Sequence, residues 1–443
     1  MIKVFIPDNF IPERSYIVRT LLQHYCGAEI EIIPKKNGRE YELVWGDKSI
    51  IVQDHFFGNI SKGETYLQSK YIPEKIIPTQ SLGLDHILLL YGDEHLEITR
   101  DKIVCHVDLF AGAFFMLTRW EEAVIKDKDS HGRFPADKAL VVKSGQILRP
   151  VVDEYTTLLR YWLLTLGYPL KGDTSEYKVV PTCDVDKPYY WKGKPGWKVL
   201  AGGFRRNPFQ FLKDMKQSKA VKRGQQKDPY DQFDYMMTLA ERSDNRFEFN
   251  MIGGGRTRYE GHYDIGDEQI KTLMQEMSNR VHRIGAHPSY ASFKDASMIK
   301  KEIEAISKSS GLVISSSRQH YLRFEVPDTW RCLSEAGIKT DSTLGFAAEP
   351  GFRCGTSKPF SVFDIHERKE LPLIERPLLI MDVSFRMYKK YTIEQSIDLS
   401  QKIIEQVKKH NGELVILWHN SSLSEIDGWA GWDRVLEYLL AVH

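Results

Sequence analysis

Two aspartates and three histidines stand at the ends of apolar runs. Asp184 and Asp186 close PTCDVD (181–186), His287 follows HRIGA, His320 sits in SSSRQHYLRF (315–324), and His419 follows ELVILW. Carboxylates and imidazoles are the ligands that zinc-like ions take, and the same groups serve as general bases and acids. Strand ends are where an α/β barrel keeps its chemistry. Five such groups could hold one divalent metal and still leave an acid and a base, which is the equipment of a metal-dependent hydrolase.

Each segment has a plainer reading beside the chemical one. Two carboxylates two positions apart face the same side of an extended strand; a metal would take one and leave the other as a base, but surface turns also carry this pattern. Pro288 stops a β-ladder just past His287, where a core histidine is the alternative. Around His320 the polar run would cost desolvation if buried without a role. Arg318 or Arg323 could clamp the base carboxylate there; a surface loop is the competing reading. KTDSTLGFAAEPGFRCGTSKPF (339–360), with Asp341 and Arg353, has the length of a substrate loop or lid, or of a structural loop. Asp382, in LLIMDVSF, could orient a histidine and raise its basicity, or serve as a turn or cap residue. Trp418 or its neighbours could shape an apolar pocket wall.

The elements that must position these residues are written in the apolar periodicity. MIKVFIP (1–7) and AEIEIIP (28–34) have strand character and RSYIVRTLLQHYC (14–26) has helical spacing. YELVWG (41–46) and KSIIVQD (48–54) read as a hairpin turning at Gly46–Asp47. HILLLYG (86–92) and residues 102–122 continue a small α/β domain over residues 1–125. It shows no recognisable phosphate loop or metal cluster; His55 and His106 are isolated and read as core or structural residues. Residues 126–170 form a connection, loop-rich at first and then an amphipathic helix over 151–167 ending at Gly167. Residues 171–443 alternate apolar runs with helical segments. The expected fold is α/β: a distorted (β/α) barrel of about seven strands with a smaller N-terminal α/β domain. MIGGGRTR (251–258) lacks the GxGxxG spacing of a dinucleotide site.

Composition narrows the function classes. The chain has 443 residues, 42% apolar and 27% charged, with 61 basic and 60 acidic side chains. That length implies two or three domains, and the charge balance gives no argument for a nucleic-acid partner. The 21 Phe, 21 Tyr and 9 Trp serve a core, and would also suit sugar-stacking surfaces. Five cysteines without a CxxC pair read as free thiols in a reducing compartment. The opening MIKVFIPDNFIPER lacks the form of a signal peptide, and no run is long enough to span a bilayer, so a cytoplasmic protein without a transmembrane segment is expected. Oligomeric state is not legible.

Together these segments resemble the polysaccharide deacetylases with a NodB-homology domain, carbohydrate esterase family four. TCDVD is similar to the family's first motif, which carries a base and a metal aspartate, although the family's pair is usually adjacent. The resemblance implies Asp184 as base and Asp186 as metal ligand. GAHPSY supplies the first metal histidine, His287; the second usually lies four residues on, where this chain has Ala291, and His320 is the replacement. RQHYLRF matches the arginine-bearing motif, with Arg323 beside the base, and Asp341 resembles the acidic residue after the next strand. LWH (417–419) matches the final motif, whose histidine is the general acid. HGRFPA (131–136), RPVVDEY (149–155) and DSTLGFAAEPGFRCGTSKPF extend the likeness to a bacterial branch with a distinct N-terminal domain. The implied activity is removal of acetyl groups from an N- or O-acetylated sugar or surface-glycan precursor. The implied cofactor is one divalent metal ion: zinc first, with nickel, cobalt, iron and manganese open. A metal-dependent amidase or esterase acting on a non-sugar substrate, and an inactive glycan-binding or scaffold protein, are the alternatives.

Overall fold

The computed structural model describes residues 1–79, 86–170, 175–192, 208–255, 257–260 and 262–442. The chain divides into two units: Met1–Lys178, Tyr321–Ile380 and Gln401–Leu414 make the first, and Val179–His320, Met381–Ser400 and Val415–His443 the second. Segments 321–380 and 401–414 thus group with the N-terminal residues, past the boundary expected near residue 171.

In chain order the first strands are β1 (Ile2–Pro7), β2 (Ile30–Lys35), β3 (Glu40–Trp45), β4 (Lys48–Gln53), β5 (Ile77–Pro78), β6 (Leu88–Leu89), β7 (Gly92–Ile98) and β8 (Lys102–Val107). All but the short β5–β6 pair form one sheet in the order β2-β1-β3-β4-β8-β7. β1 is parallel to β2 and antiparallel to β3, and Trp45 opposite Lys48 leaves Gly46–Asp47 as the hairpin turn. Helix Leu109–Thr118 is wholly buried, and Asp108 caps it by accepting from the Ala111 amide at 2.9 Å. The amphipathic segment forms helix Val151–Thr165, with Gly167 beyond it at φ 74°. β7 had no apolar signature because it is a largely exposed edge strand.

β9 (Lys178–Val185), β10 (Glu248–Met251), β11 (Arg283–Ala286) and β12 (Ser316–Ser317) follow; β13 (Thr340–Asp341), β14 (Phe360–Asp364) and β15 (Lys369–Glu375) lie in the first unit; β16 (Ile380–Met381) and β17 (Glu413–Leu417) complete the set. In the second unit the strands run β12-β11-β10-β9-β17-β16. β9 to β12 are mutually parallel, and all four β10 residues are buried, as expected when both faces are covered. Helices Phe233–Arg242, Glu268–Asn279 and Ala296–Ser310 lie between them in sequence, the last capped by Asp295 and stopped by Gly311 at φ 74°. Among the described residues no pairing of β12 with β16 closes this series, so the expected seven-strand barrel is here an open series, consistent with a distorted barrel. The run LVI before His320 is not a strand: Val313 is 93% exposed and only Ser316–Ser317 pair. Among the described residues no helix is long and apolar enough to cross a membrane.

Candidate metal centre

In a parallel sheet covered on both faces, polar side chains collect at the carboxyl ends of the strands. On β9, Asp184 lies in register with Asn250 of β10, whose amide donates to Asp184 Oδ1 at 2.8 Å. Arg318, buried just past β12, brings Nη1 to the same oxygen at 3.3 Å and also bonds Thr182 Oγ1. Such partners are what allow a carboxylate to be 98% removed from solvent, as the 2% exposure of Asp184 requires. Its other oxygen, Oδ2, faces His287 Nε2 at 3.7 Å.

Asp186 follows β9 at the rim. Its Oδ1 is buried and accepts no hydrogen bond, yet His287 Nε2 and His320 Nε2 face it at 3.3 and 3.4 Å. The other ring nitrogens set the tautomers. His287 Nδ1 lies 2.6 Å from the Arg318 carbonyl, which can only accept, so Nδ1 carries a proton. His320 Nδ1 lies 3.3 Å from Glu260 Oε1, an acceptor when ionised. In the neutral rings both Nε2 lone pairs then point at a carboxylate oxygen, an arrangement that repels unless a cation sits among them. A second proton on each ring is one such cation. The 3.3 and 3.4 Å separations lie at the long end of hydrogen-bonding range, as the His320–Glu260 contact does. They match the edge, about 3.3 Å, of a tetrahedron with zinc–nitrogen bonds of about 2.0–2.1 Å. One ligand atom from each of Asp186, His287 and His320 falls within 4.8 Å of the others. The donor set fits a divalent ion.

The electrostatics show a pocket that favours positive charge, whether proton or metal ion. Burial alone would raise the Asp186 carboxyl, but His320 and His287 hold it far below the usual carboxylate range. Burial presses His287 toward neutrality, and Asp184 and Asp186 more than offset it, leaving its pKa raised.

Glu260 is the residue that sequence reasoning missed. It lies in the polar segment TRYEGHYD, with no apolar run to mark a strand end. Its Oε1 accepts from the Tyr290 amide at 2.6 Å and Oε2 from the Thr257 amide at 3.0 Å. Although burial opposes it, His320 and these donors bring its pKa down to about 2. A second carboxylate, Glu302, accepts from the Ser289 amide and hydroxyl at 2.8 and 2.5 Å and so fixes the turn that follows His287. The glycine-rich patch now has a reason. A Cβ on Gly253 would stand 2.1 Å from the Glu302 carbonyl oxygen, and one on Gly255, at φ +87°, would stand 2.6 Å from Ser289 Cβ and 2.9 Å from Glu260 Cγ. These glycines let a loop pack closely on the two carboxylates that brace the histidine segments.

His419 lies just after β17. Asp382, fully buried after β16, accepts from the His419 amide at 2.8 Å and meets Nδ1 at 2.9 Å, while Nε2 stands 3.8 Å from Asp186 Oδ2. Burial would lower the His419 pKa, but Asp382 reverses this and raises it to about 10.

Asp184, Asp186, His287, Arg318, His320, Asp382 and His419 are therefore brought together in the second unit. The cation set against Asp184 is Arg318, where the motif comparison had placed Arg323. Arg323 belongs to the first unit and donates to the His131 carbonyl at 2.8 Å. Asp341 and Arg353 are also buried in the first unit. Asp341 lies opposite Glu375 in the β13–β15 pairing and accepts from the Thr343 amide at 3.0 Å. Arg353 holds Glu122 through two bonds, 3.0 and 2.5 Å long. Trp418 is fully buried beside β9, with its amide on the Thr182 carbonyl at 2.9 Å, so it is core and not an open pocket wall.

Residues 2–167 match a family model described as a family of unknown function, DUF7033. No curated protein matches the sequence. Among solved structures, the chain is similar to a protein from Mycobacterium smegmatis whose description as a polysaccharide deacetylase is itself provisional, at 15% identity, covering 61% of this chain and 85% of that one, with a TM-score of 0.40. It is also similar to a polysaccharide deacetylase from Bacillus cereus, at 12% identity over 59% of this chain and 85% of that one, TM-score 0.30. A CE4 family pseudoenzyme from Bacillus anthracis matches at 9% identity over 60% of each chain, TM-score 0.31.

Two outcomes are expected from this geometry. Asp186→Asn and His320→Ala should each cost one equivalent of divalent ion per chain after dialysis, read by elemental analysis; unchanged metal content in both would remove Asp186, His287 and His320 as a ligand set. Gly255→Ala should lower stability by about 1–3 kcal/mol, as overpacking does, and should loosen the metal through Glu260. Melting curves and metal retention check the two effects separately.

Proposed function

We propose that this protein is a metal-dependent hydrolase that removes acetyl groups from an N- or O-acetylated carbohydrate. The observation that carries the hydrolase reading is Asp186 Oδ1 without a hydrogen bond and faced by two tautomer-fixed imidazoles, with a separate carboxylate and a separate carboxylate-backed histidine beside it. The carbohydrate part rests on the likeness of TCDVD, GAHPSY, RQHYLRF and LWH to the deacetylase motifs.

Asp186, His287 and His320 would hold the ion, zinc first, with nickel, cobalt, iron and manganese fitting the same donors. A divalent ion in such a site supplies Lewis acidity toward an acyl oxygen and lowers the pKa of water. The remaining work falls to the side chains. Asp184 takes a proton from the attacking water; both of its hydrogen bonds fall on Oδ1, so Oδ2 is the oxygen that serves. Arg318 and Asn250 fix the orientation of the carboxylate. Asp382 holds His419 by Nδ1, which aims Nε2 as the acid. As the new carbon–oxygen bond forms and the carbon–nitrogen or ester carbon–oxygen bond breaks, His419 Nε2 gives its proton to the departing amine or alkoxide. The products are acetate and the deacetylated sugar.

A panel of N- and O-acetylated saccharides beside simple acyl amides and esters, with acetate release followed on the metal-loaded protein, tests the substrate class. Release from sugars supports the proposal. Turnover of the simple compounds alone would leave a hydrolase of another substrate class, and no turnover by metal-loaded protein would point to a binding or scaffold role.

Asp184→Asn should lower turnover by roughly 10²–10⁴-fold, the usual contribution of a general base, while keeping the metal. Full activity in that variant would end the base assignment. For His419 the sign is fixed by Asp382: removing the anion lowers the imidazole pKa, so the acid form is lost at lower pH. Asp382→Asn should therefore shift the alkaline limb of the kcat/KM profile to lower pH, and an unmoved limb would mean that His419 is not the titrating acid.

A further inference from the structure

The first unit contains a second cluster of metal-type donors, built from residues that the sequence keeps apart. His55 and His106, isolated in the chain, are brought together by the parallel pairing of β4 with β8, where Val52 stands opposite Cys105. His55 lies just past the end of β4, and its backbone amide is tied to Asp108 Oδ2 at 2.9 Å. The antiparallel partner β7 supplies the acid. Gly92 pairs with Val107 and Leu96 with Cys105, with a register irregularity between. Asp93, Glu94 and His95 thus stand opposite His106 alone, and this bulge lets more than one β7 side chain reach it. Asp93 Oδ2 lies 3.4 Å from His106 Nδ1, and the His95 ring meets the His106 ring edge-on at 4.7 Å.

We propose that His55, Asp93 and His106 form a second divalent-metal site, of zinc type, on the N-terminal sheet. One ligand atom from each lies within 4.8 Å of the others. His55 Nε2 is buried without a hydrogen-bond partner, which a simple His106–Asp93 ion pair leaves unexplained. The 3.4 Å separation of Asp93 and His106 is long for a hydrogen bond and close to the ligand–ligand edge, about 3.3 Å, of a tetrahedral zinc site. Gly92, at φ +95°, keeps the space open: a Cβ there would stand 2.0 Å from the His106 carbonyl oxygen and 2.9 Å from His55 Cδ2. Two imidazoles and one carboxylate are borderline donors that suit zinc, cobalt or nickel better than calcium or magnesium. Asp93 and His106 are 58% and 31% exposed at their side chains, so the coordination sphere has room for water. An ion there ties the end of β4, the edge strand β7 and β8 at one point, and binding stabilises the folded state by mass action.

The inference does not depend on the hydrolase reading, and one experiment separates them. Full-length protein stripped by chelator is titrated with Zn²⁺ against a chromogenic competitor, and with Co²⁺ followed by its visible absorption. Wild type, Asp186→Asn, His106→Gln and the His55→Ala/His106→Gln double variant are compared, with circular dichroism checking that each is folded. The expected result is two equivalents in wild type, the N-terminal one bound more weakly, with one in Asp186→Asn and one in either N-terminal variant. In the Asp186→Asn background zinc should still raise Tm, and adding His106→Gln should abolish that rise. One equivalent in wild type, lost on Asp186→Asn and untouched by the N-terminal variants, overturns the proposal. One equivalent lost only in the N-terminal variants upholds it and removes the metal centre assigned to Asp186, His287 and His320.

Discussion

The structure of the second unit is organised around a carboxylate oxygen that faces two imidazole nitrogens. Asp186 Oδ1 has no donor of its own, and the nitrogens 3.3 and 3.4 Å away belong to imidazoles whose other ring nitrogens face acceptors, so in the neutral rings they present lone pairs. Three electron-rich atoms this close are stable only around positive charge. Most of what surrounds them fixes the direction in which they point. The Arg318 carbonyl aims His287, Glu260 aims His320, and Asp382 performs the equivalent task for His419.

That requirement reaches into positions with no chemistry of their own. Glu260 orients His320 only if its loop lies close against the turn after His287, and that approach is what the missing side chains of Gly253 and Gly255 permit. Glu302 on helix Ala296–Ser310 ties the same turn from the other direction through Ser289. Arg318 serves two residues of the site at once, with its carbonyl on His287 and its guanidinium on Asp184.

The legible parts of the sequence were those where burial and chemistry meet at a strand end. β9 and β11 are followed at once by Asp186 and His287, and β17 by Trp418 and then His419, so these residues, with Asp184 inside β9, stand out as candidates. His320 was found through the density of polar groups around it, although the run before it is largely not a strand. Glu260 left no such trace, because its position is set by a loop whose path depends on packing against Glu302 and Ser289. The choice between Arg318 and Arg323 turned on side-chain direction over a few residues, which spacing does not encode; Arg318 bonds back along the sheet to Thr182 and Asp184. Asp341, Arg353 and Trp418 look functional in sequence because buried polar and aromatic residues share that composition. In the fold Arg353 neutralises Glu122, and Trp418 fills the core. The N-terminal histidines illustrate the reverse case: His55 and His106 meet only through strand pairing, and β7, which completes the group, is an edge strand too polar to announce itself.

The two clusters share a donor set and differ in surroundings, and this orders their affinities. At Asp186 the imidazoles are 2% exposed and the carboxylate 28%, and each Nδ1 is directed at an acceptor. In the N-terminal cluster the carboxylate is 58% exposed and His106 31%, so water screens the charge and competes for the ion. The same three ligand types therefore give a buried, pre-oriented site in one unit and a shallower one in the other. Catalysis needs the first kind, because an ion that polarises an acyl group must act where water does not dilute its field. Holding three strands together needs only that the bound state be the folded one, and for that the weaker, solvent-facing site is sufficient.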